Sequence, residues 1–476
     1  MRDLGHQVID LLVDHWATLR DQPAGSRADR EALEELLREP PPERGRDAEA
    51  VLARVAADVL GNMGRVDHPR FYAFVPGPSN WIGVLGDLLA TGTNVFAGTW
   101  FESSGPAMLE LVTIDWLREW CGLPESAGGA FVSGGSMANL TALAVARRIV
   151  LEDRVEGAVA YFSDQTHSAV DRAFAVLGFA PEQLRRLPVD TEFRLPVAAL
   201  ERSVARDRDA GRRPFCVVAN AGTTNTGAVD PLPELADLCA GLGLWLHADA
   251  AYGGPAVLSE RGRRALAGLE RADSLALDPH KWLFQPFEIG CVLVRERDWL
   301  PQTFHVLPDY LRDVEARRGE VNFADYGVQL TRGFRALKLW LSIQVFGLAE
   351  FRRAVERGIE NAEFAEALLR ETGVWEIVTP ARLGVVTFRY APPDLSAEEA
   401  RRITLGLVEA TQADGFTLVS STTLREEPVI RLCPINPRTT REDLEASVWR
   451  LGDVAEGLRR RRAGNDPWGG ASALDG

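Results

Sequence analysis

From Trp81 to Gly347 the chain alternates helix-like segments with short apolar runs that end in Gly, Asp or Asn: GGAFVSGG, AVAYFSD, FCVVANAGTT, LWLHADAAY, SLALDPHK and GCVLVRE. A strand covered on both faces reads as an unbroken apolar run, and strands separated by helices pair in parallel. The rhythm therefore predicts an α/β fold with a mostly parallel central sheet and helices on both faces. In such sheets ligands bind beyond the carboxyl ends of the strands, so the residues just after each run carry the most information.

At 476 residues the chain exceeds one simple core, and two domains are expected. After the helical pattern AEFRRAVERGIENAEFAEALLRE, three strand-like pieces (WEIVT, GVVTFRY, VIRLCPIN) and a helix around Glu398 to Asp414 predict a small C-terminal α+β domain. At the other end a first helix closes near Arg20. A Pro/Gly/Arg-rich stretch then runs to Gly45, broken by a short helix around Leu33 to Arg38. The expected division is an N-terminal helical segment at 1–80, a large domain at 81–350, the small domain at 351–462 and a disordered tail at 463–476.

A formal net charge of -15 argues against nucleic acid and anionic membrane surfaces as partners. The basic run Arg459 to Arg462 is read as complementing a helix dipole. No apolar run approaches the roughly 18 residues of a membrane span. The opening MRDLGHQVIDLLVDHW lacks the apolar core of a secretory signal, and five scattered cysteines form no CxxC pair. A cytoplasmic location with reduced thiols and no metal site follows as the expectation.

Four strand ends are chemically specific. Ser133-Gly134-Gly135-Ser136 follows one strand and opens a helix, presenting free N–H groups at a positive helix end, as a phosphate cradle would; it also reads simply as a turn. His167 follows the strand AVAYFS, on a helix that Asp164 could cap, where an imidazole can stack on a flat ring or serve only as packing. Asp249 ends a buried strand, and a carboxylate there needs a cation, such as a protonated pyridine nitrogen, unless it only caps a turn. Lys281 follows Pro279 and His280 at another strand end. Only two of the 53 basic residues are lysines; Lys338 reads as a snorkelling surface residue, whereas burial would depress the pKa of Lys281 and favour the neutral amine of a Schiff base. Each residue has an ordinary structural reading by itself. Together they supply phosphate, ring-face, ring-nitrogen and aldehyde contacts for one cofactor.

With HPRFYAFVPG, SDQTHSAVDRA, WLHADAAY, DPHKW and DYGVQLTRGFRALKLW, the chain resembles the group II pyridoxal-phosphate-dependent amino acid decarboxylases, nearest to the aromatic-L-amino-acid branch. The resemblance spans nearly the whole chain. It implies the aspartate aminotransferase type I fold and a homodimer with active sites at the interface, the 1–80 segment serving dimerisation. It further implies pyridoxal 5'-phosphate on Lys281, Asp249 on the pyridine nitrogen, His167 stacked on the ring and Ala251 on its other face. Gly135, Ser136 and Ser274 would hold the phosphate, with Asn220 and His280 beside the cofactor. A loop from about Asp309 to Thr331 would close over the substrate and bring Tyr326, whose hydroxyl goes with amine formation; related aldehyde synthases carry phenylalanine there. The substrate pocket would include Phe74, Pro76, Gly77 and Trp100.

The sequence departs from that pattern at several places. Phe74-Val75-Pro76-Gly77 stands where the aromatic branch has an aromatic-Phe-Pro-Thr run, Asn220 replaces a threonine, Asp278 replaces an asparagine and Arg332-Gly333 replaces an arginine pair. Glu102, after Trp100, is read as structural. An aromatic amino acid is the first expectation for the substrate. A decarboxylative aldehyde synthase or a decarboxylase of a non-aromatic amino acid is the alternative. A metal-dependent hydrolase built on His247, Asp249 and His280 is the reading from a different class.

Overall fold

The computed structural model describes residues 1–306, 317 and 319–462. The expected tail at 463–476, and positions 309–316 and 318 of the expected loop, lie outside the described residues. The chain forms two compact units: residues 77–359, and residues 1–76 together with 360–476.

The larger unit is built on seven strands: β1 (Gly128–Val132), β2 (Ala158–Ser163), β3 (Leu184–Leu187), β4 (Arg213–Asn220), β5 (Trp245–Asp249), β6 (Ser274–Leu277) and β7 (Gly290–Val294). Their order is β1-β7-β6-β5-β4-β2-β3. β7 runs antiparallel to both its neighbours, and every other pairing is parallel. Strands β2, β5, β6 and β7 are buried along their whole length, which is why they read as unbroken apolar runs. The carboxyl ends of β1, β2, β4, β5 and β6 deliver Ser133, Asp164, Ala221, Ala250 and Asp278 to one edge of the sheet.

Lys338 is not a surface residue. Its helix, Ala336–Phe346, packs against the helix Trp81–Gly92, and the ammonium is buried, 2.7 Å from Asp87 Oδ2 and 3.0 Å from the carbonyl of Pro286. A carboxylate on the facing helix makes that burial tolerable. A second buried pair anchors β1. Arg332 donates to Glu110 Oε1 at 2.6 Å and to the carbonyls of Phe131 and Ala97, while Glu110 Oε1 accepts from the Phe131 amide at 2.9 Å.

The smaller unit carries four antiparallel strands, β8 (Trp375–Arg382), β9 (Val385–Tyr390), β10 (Ser420–Leu424) and β11 (Glu427–Leu432), in the order β10-β11-β9-β8. Helices Ala397–Asp414, opened by a Ser396/Glu399 capping box, and Arg441–Arg462 complete it. The sequence reading foresaw three of these strands and missed β10. The turn joining β10 to β11 places Arg425 and Glu426 at φ +50 and +69, so a tight hairpin is made without the Gly or Asn that usually announces one. The N-terminal helices Arg2–Thr18, Arg30–Leu37 and Ala48–Arg54 belong to this same unit, and Tyr72 joins its core with Trp375, Phe388 and Leu432.

Candidate active site

A cavity of about 360 Å3 opens at the carboxyl ends of the strands in the larger unit. Its walls include Gly135, Ser136, His167, Asn220, Asp249, Ala251, His280 and Lys281, so eight of the residues singled out from the sequence meet at one place. Asn139, Thr223, Tyr252 and Asp278 complete much of the lining.

The turn at the end of β1 is shaped by close backbone packing. The helix Gly135–Leu151 has Gly134 at its N-cap and no side-chain cap, which leaves its first N–H groups for an anion. A Cβ at Gly135 would sit 2.7 Å from Asp278 Oδ2, and one at Gly290, where β7 begins, would sit 2.5 Å from Gly134 Cα. Only bare backbone fits on either side of this turn.

His167 is itself the N-cap of the helix Ser168–Val176, in place of the expected Asp164 cap. Its Nδ1 accepts from the Ala169 amide at 3.1 Å, so the ring proton sits on Nε2. Asp249 Oδ1 accepts from the Ala251 amide at 3.1 Å and Oδ2 from Asn139 Nδ2 at 3.3 Å. Asn220 is tied back by its own amide, which donates to Ser163, Thr166 and Asp230. Asp230, wholly buried, is pushed up to about 6 by burial against these hydrogen bonds.

Lys281 Nζ lies 2.9 Å from Asp278 Oδ2, and its side chain keeps 24% exposure, enough to be reached from the cavity. The sequence reading expected burial to depress its pKa. Burial does act in that direction, but the charge and hydrogen bond of Asp278, with Asp249 behind, outweigh it and raise the lysine above its ordinary value. His280, whose ring leans on Phe287 at 4.9 Å, is lowered, first by burial. Asp278 Oδ1 is buried without a hydrogen-bond partner among the described residues.

Other expected site residues lie elsewhere. Ser274 is at the amino end of β6, away from the cavity, where its hydroxyl meets Trp245 Nε1 at 2.8 Å and His247 Nδ1 at 2.9 Å. Tyr326 packs edge-on against Phe323 at 5.4 Å and lines a small adjoining cleft with Phe131, Met137 and Arg332 rather than the cavity itself. Trp100 opens the helix Trp100–Trp120 with its amide on Asn322 Oδ1 and does not line the cavity either. Glu102 accepts from the Thr99 hydroxyl at 2.9 Å as part of that helix start, which is the structural role expected for it.

Phe74 and Pro76 belong to the smaller unit, where the Phe74 amide donates to Ser420 Oγ at 3.0 Å. Gly77 begins the larger unit, and a Cβ there would meet the His280 carbonyl oxygen at 2.4 Å, so the threonine of the aromatic branch has no room at this position. The metal reading fails on geometry. Both ring nitrogens of His247 are engaged, by Asn139 and Ser274, and among the described residues no three His, Cys, Asp or Glu are grouped to hold a metal ion. Asn139 escaped the sequence reading; its signal was one amide, a helical turn past the glycines, in the mostly apolar MANLTALAVA.

These residues fit pyridoxal phosphate: an uncapped helix start and glycine turn for the phosphate, a reachable amine for the aldehyde, an exposed imidazole and a buried carboxylate for the ring. Comparisons with known proteins agree. The model of the pyridoxal-dependent decarboxylase conserved domain matches residues 31–391. The chain is 51% identical over 458 residues to an aromatic-L-amino-acid decarboxylase of Bacillus atrophaeus, covering 96% of this chain and 95% of the relative. It is 32% identical to a phenylacetaldehyde synthase of Arabidopsis thaliana, over 95% of this chain and 94% of that protein. The crystal structure of Oryza sativa TDC with PLP and tryptamine superposes with a TM-score of 0.91 at 29% identity, covering 96% of this chain and 98% of the other. The chain belongs to the pyridoxal-dependent decarboxylase family and is a carboxy-lyase that works on amino acids with pyridoxal phosphate.

Proposed function

We propose that this chain converts an aromatic L-amino acid to its amine and carbon dioxide, acting as a homodimer in the cytoplasm. The observation that carries the substrate class is the 51% identity, over 96% of the chain, to the aromatic-L-amino-acid decarboxylase of Bacillus atrophaeus. When bound, pyridoxal phosphate supplies an aldehyde that bonds amines and a ring system that takes up the electron pair left by departing carbon dioxide.

The protein's own contribution is placement. Lys281 is the attachment point, and Asp278 holds its proton until it is needed. Asp249 offers a buried negative charge to the ring nitrogen, His167 a ring face, and the Gly134–Ser136 turn its amides to the phosphate. Tyr326 keeps its phenolic proton, because burial, reinforced by Asp298, raises its pKa. It would give that proton to the substrate carbon that has lost the carboxylate. Since Tyr326 lines a different cleft from Lys281 in its own chain, we assign its action to the partner's cavity across a dimer interface. Exposed Val8, Val13, Leu36, Val51 and Val55 on the N-terminal segment support such an interface. The five buried cysteines fit a reducing compartment, and among the described residues no helix is long and apolar enough to cross a membrane.

A panel of amino acids assayed for carbon dioxide, amine, aldehyde and hydrogen peroxide tests this. Amine and carbon dioxide in equal amounts from aromatic substrates are expected. Aldehyde with peroxide as the main products, or turnover confined to acidic substrates, would overturn it. Lys281→Ala should lose both turnover and the cofactor that borohydride traps on the wild-type chain.

A further inference from the structure

Behind Asp249 runs an unbroken line of buried polar groups. Asn139 Nδ2 lies 3.3 Å from Asp249 Oδ2, and Asn139 Oδ1 lies 2.7 Å from His247 Nε2. His247 Nδ1 is then 2.9 Å from Ser274 Oγ, and Ser274 Oγ 2.8 Å from Trp245 Nε1. All five residues are at most 8% exposed, so these groups satisfy one another rather than water.

Donor and acceptor chemistry fixes the direction of this line from both ends. An indole nitrogen can only donate, so Trp245 gives its proton to Ser274 Oγ, whose own hydrogen is then free for His247 Nδ1. An ionised carboxylate can only accept, so Asn139 must turn its amide nitrogen to Asp249 and its oxygen to His247. The imidazole between them is left one arrangement, with its proton on Nε2 and a lone pair on Nδ1.

We propose that Trp245, Ser274, His247 and Asn139 form a one-way hydrogen-bond relay that aims the Asp249 carboxylate into the cavity. Asn139 is the positioning residue that touches Asp249, and His247 the one that orients Asn139. The inference rests on the proposed pairing of Asp249 with the ring nitrogen of the cofactor. Burial supports the neutral imidazole: it pushes His247 down to about 4, outweighing the nearby Asp249 charge and the Ser274 backbone. Aligned hydrogen bonds in a low-dielectric interior polarise one another, so removing a distant link weakens the last one.

The full-length chain, freed of cofactor and labelled with nitrogen-15 histidine, gives the first measurement. At pH 7 His247 should show the Nε2–H tautomer; a proton on Nδ1, or on both nitrogens, overturns the relay. The second is the affinity for pyridoxal 5'-phosphate, followed by fluorescence alongside the melting temperature. Asn139→Ala should weaken binding about tenfold or more, the scale of one hydrogen bond to a charged group. His247→Leu should weaken it in the same direction, and His247→Gln, which can still donate to Asn139, should recover much of the loss. Melting temperatures that fall while cofactor affinity stays at the wild-type value would reduce the line to packing and overturn the proposal. Asp249→Asn separates the two ideas. If it weakens binding while Asn139→Ala and His247→Leu do not, the relay alone fails; if Asp249→Asn is itself silent, the role assigned to Asp249 fails and the relay with it.

Discussion

Lys281 Nζ and Asp278 Oδ2 lie 2.9 Å apart at the floor of the cavity, with the carboxylate almost wholly buried. The pair inverts the usual argument about a buried lysine. Burial disfavours the ammonium, yet Asp278 raises the lysine above its ordinary value, so in the cofactor-free chain the amine proposed for cofactor attachment is held in its charged form. Asp278→Asn removes the opposing charge and lets burial dominate. Uptake of pyridoxal phosphate by the cofactor-free protein, followed by its visible absorbance across pH, should then have its midpoint at lower pH than in the wild type. An unmoved midpoint would show that Asp278 does not govern the amine.

Asp230 makes a different pH prediction. Its folded-state pKa of about 6 lies above the ordinary 3.8, chiefly because it is buried, so the native state holds a proton that the unfolded chain has released. Stability should therefore fall as pH rises from about 4 to about 6, by roughly 3 kcal/mol for this one group. Other carboxylates titrate nearby, so the comparison is with Asp230→Asn, which lacks this slope. The variant should also be the less stable of the two at pH 4, because its amide nitrogen must compete with donors from Leu195 and Asn220. Parallel melting curves from pH 4 to 6 would contradict the assignment.

At Gly77 the test is to restore the residue of the aromatic branch. A Cβ would lie 2.4 Å from the His280 carbonyl and 3.0 Å from the Phe287 ring. Gly77→Thr should displace the segment that carries His280 and Lys281, with a stability loss of about 1–3 kcal/mol, as for other overpacked sites. A reduced cofactor affinity should accompany the lower melting temperature. Wild-type values of both would mean that the backbone yields here at no cost.

Glu110 and Arg332 form a buried pair, and removing one partner strands the other. Glu110→Ala should cost about 3–5 kcal/mol. Arg332→Met combined with Glu110→Met should cost less than the sum of the single changes, which denaturant titration of the three variants would measure. Strict additivity would show that the two side chains are energetically independent despite their 2.6 Å contact.

Much of the larger unit was legible because its strands are covered on both faces and each ends in a chemically distinctive residue. Ser133, Asp249 and Lys281 could be read one strand at a time. What one strand cannot reveal is the lateral neighbour. Asn139 reaches Asp249 from a helix 110 positions earlier, and the pairing of Ser274 with Trp245 depends on the β5–β6 register. Resemblance had put Ser274 on the phosphate, and only the direction of β6 shows that it faces the other way. Lys338 was misjudged because amphipathic spacing does not disclose that the facing helix carries Asp87. The β10 strand was lost because Arg425 and Glu426 adopt positive φ without the residues that advertise it.

The contact between Gly290 and Gly134 has a consequence for how variation in this protein should be interpreted. Gly290 is absent from the cavity walls, yet any side chain there would press on Gly134 from behind. A substitution at Gly290 would reshape the turn proposed to hold the phosphate as a mould is deformed from its outer surface. Its signature would be weakened retention of the phosphate group, in a residue that a survey of ligand contacts alone would pass over as neutral.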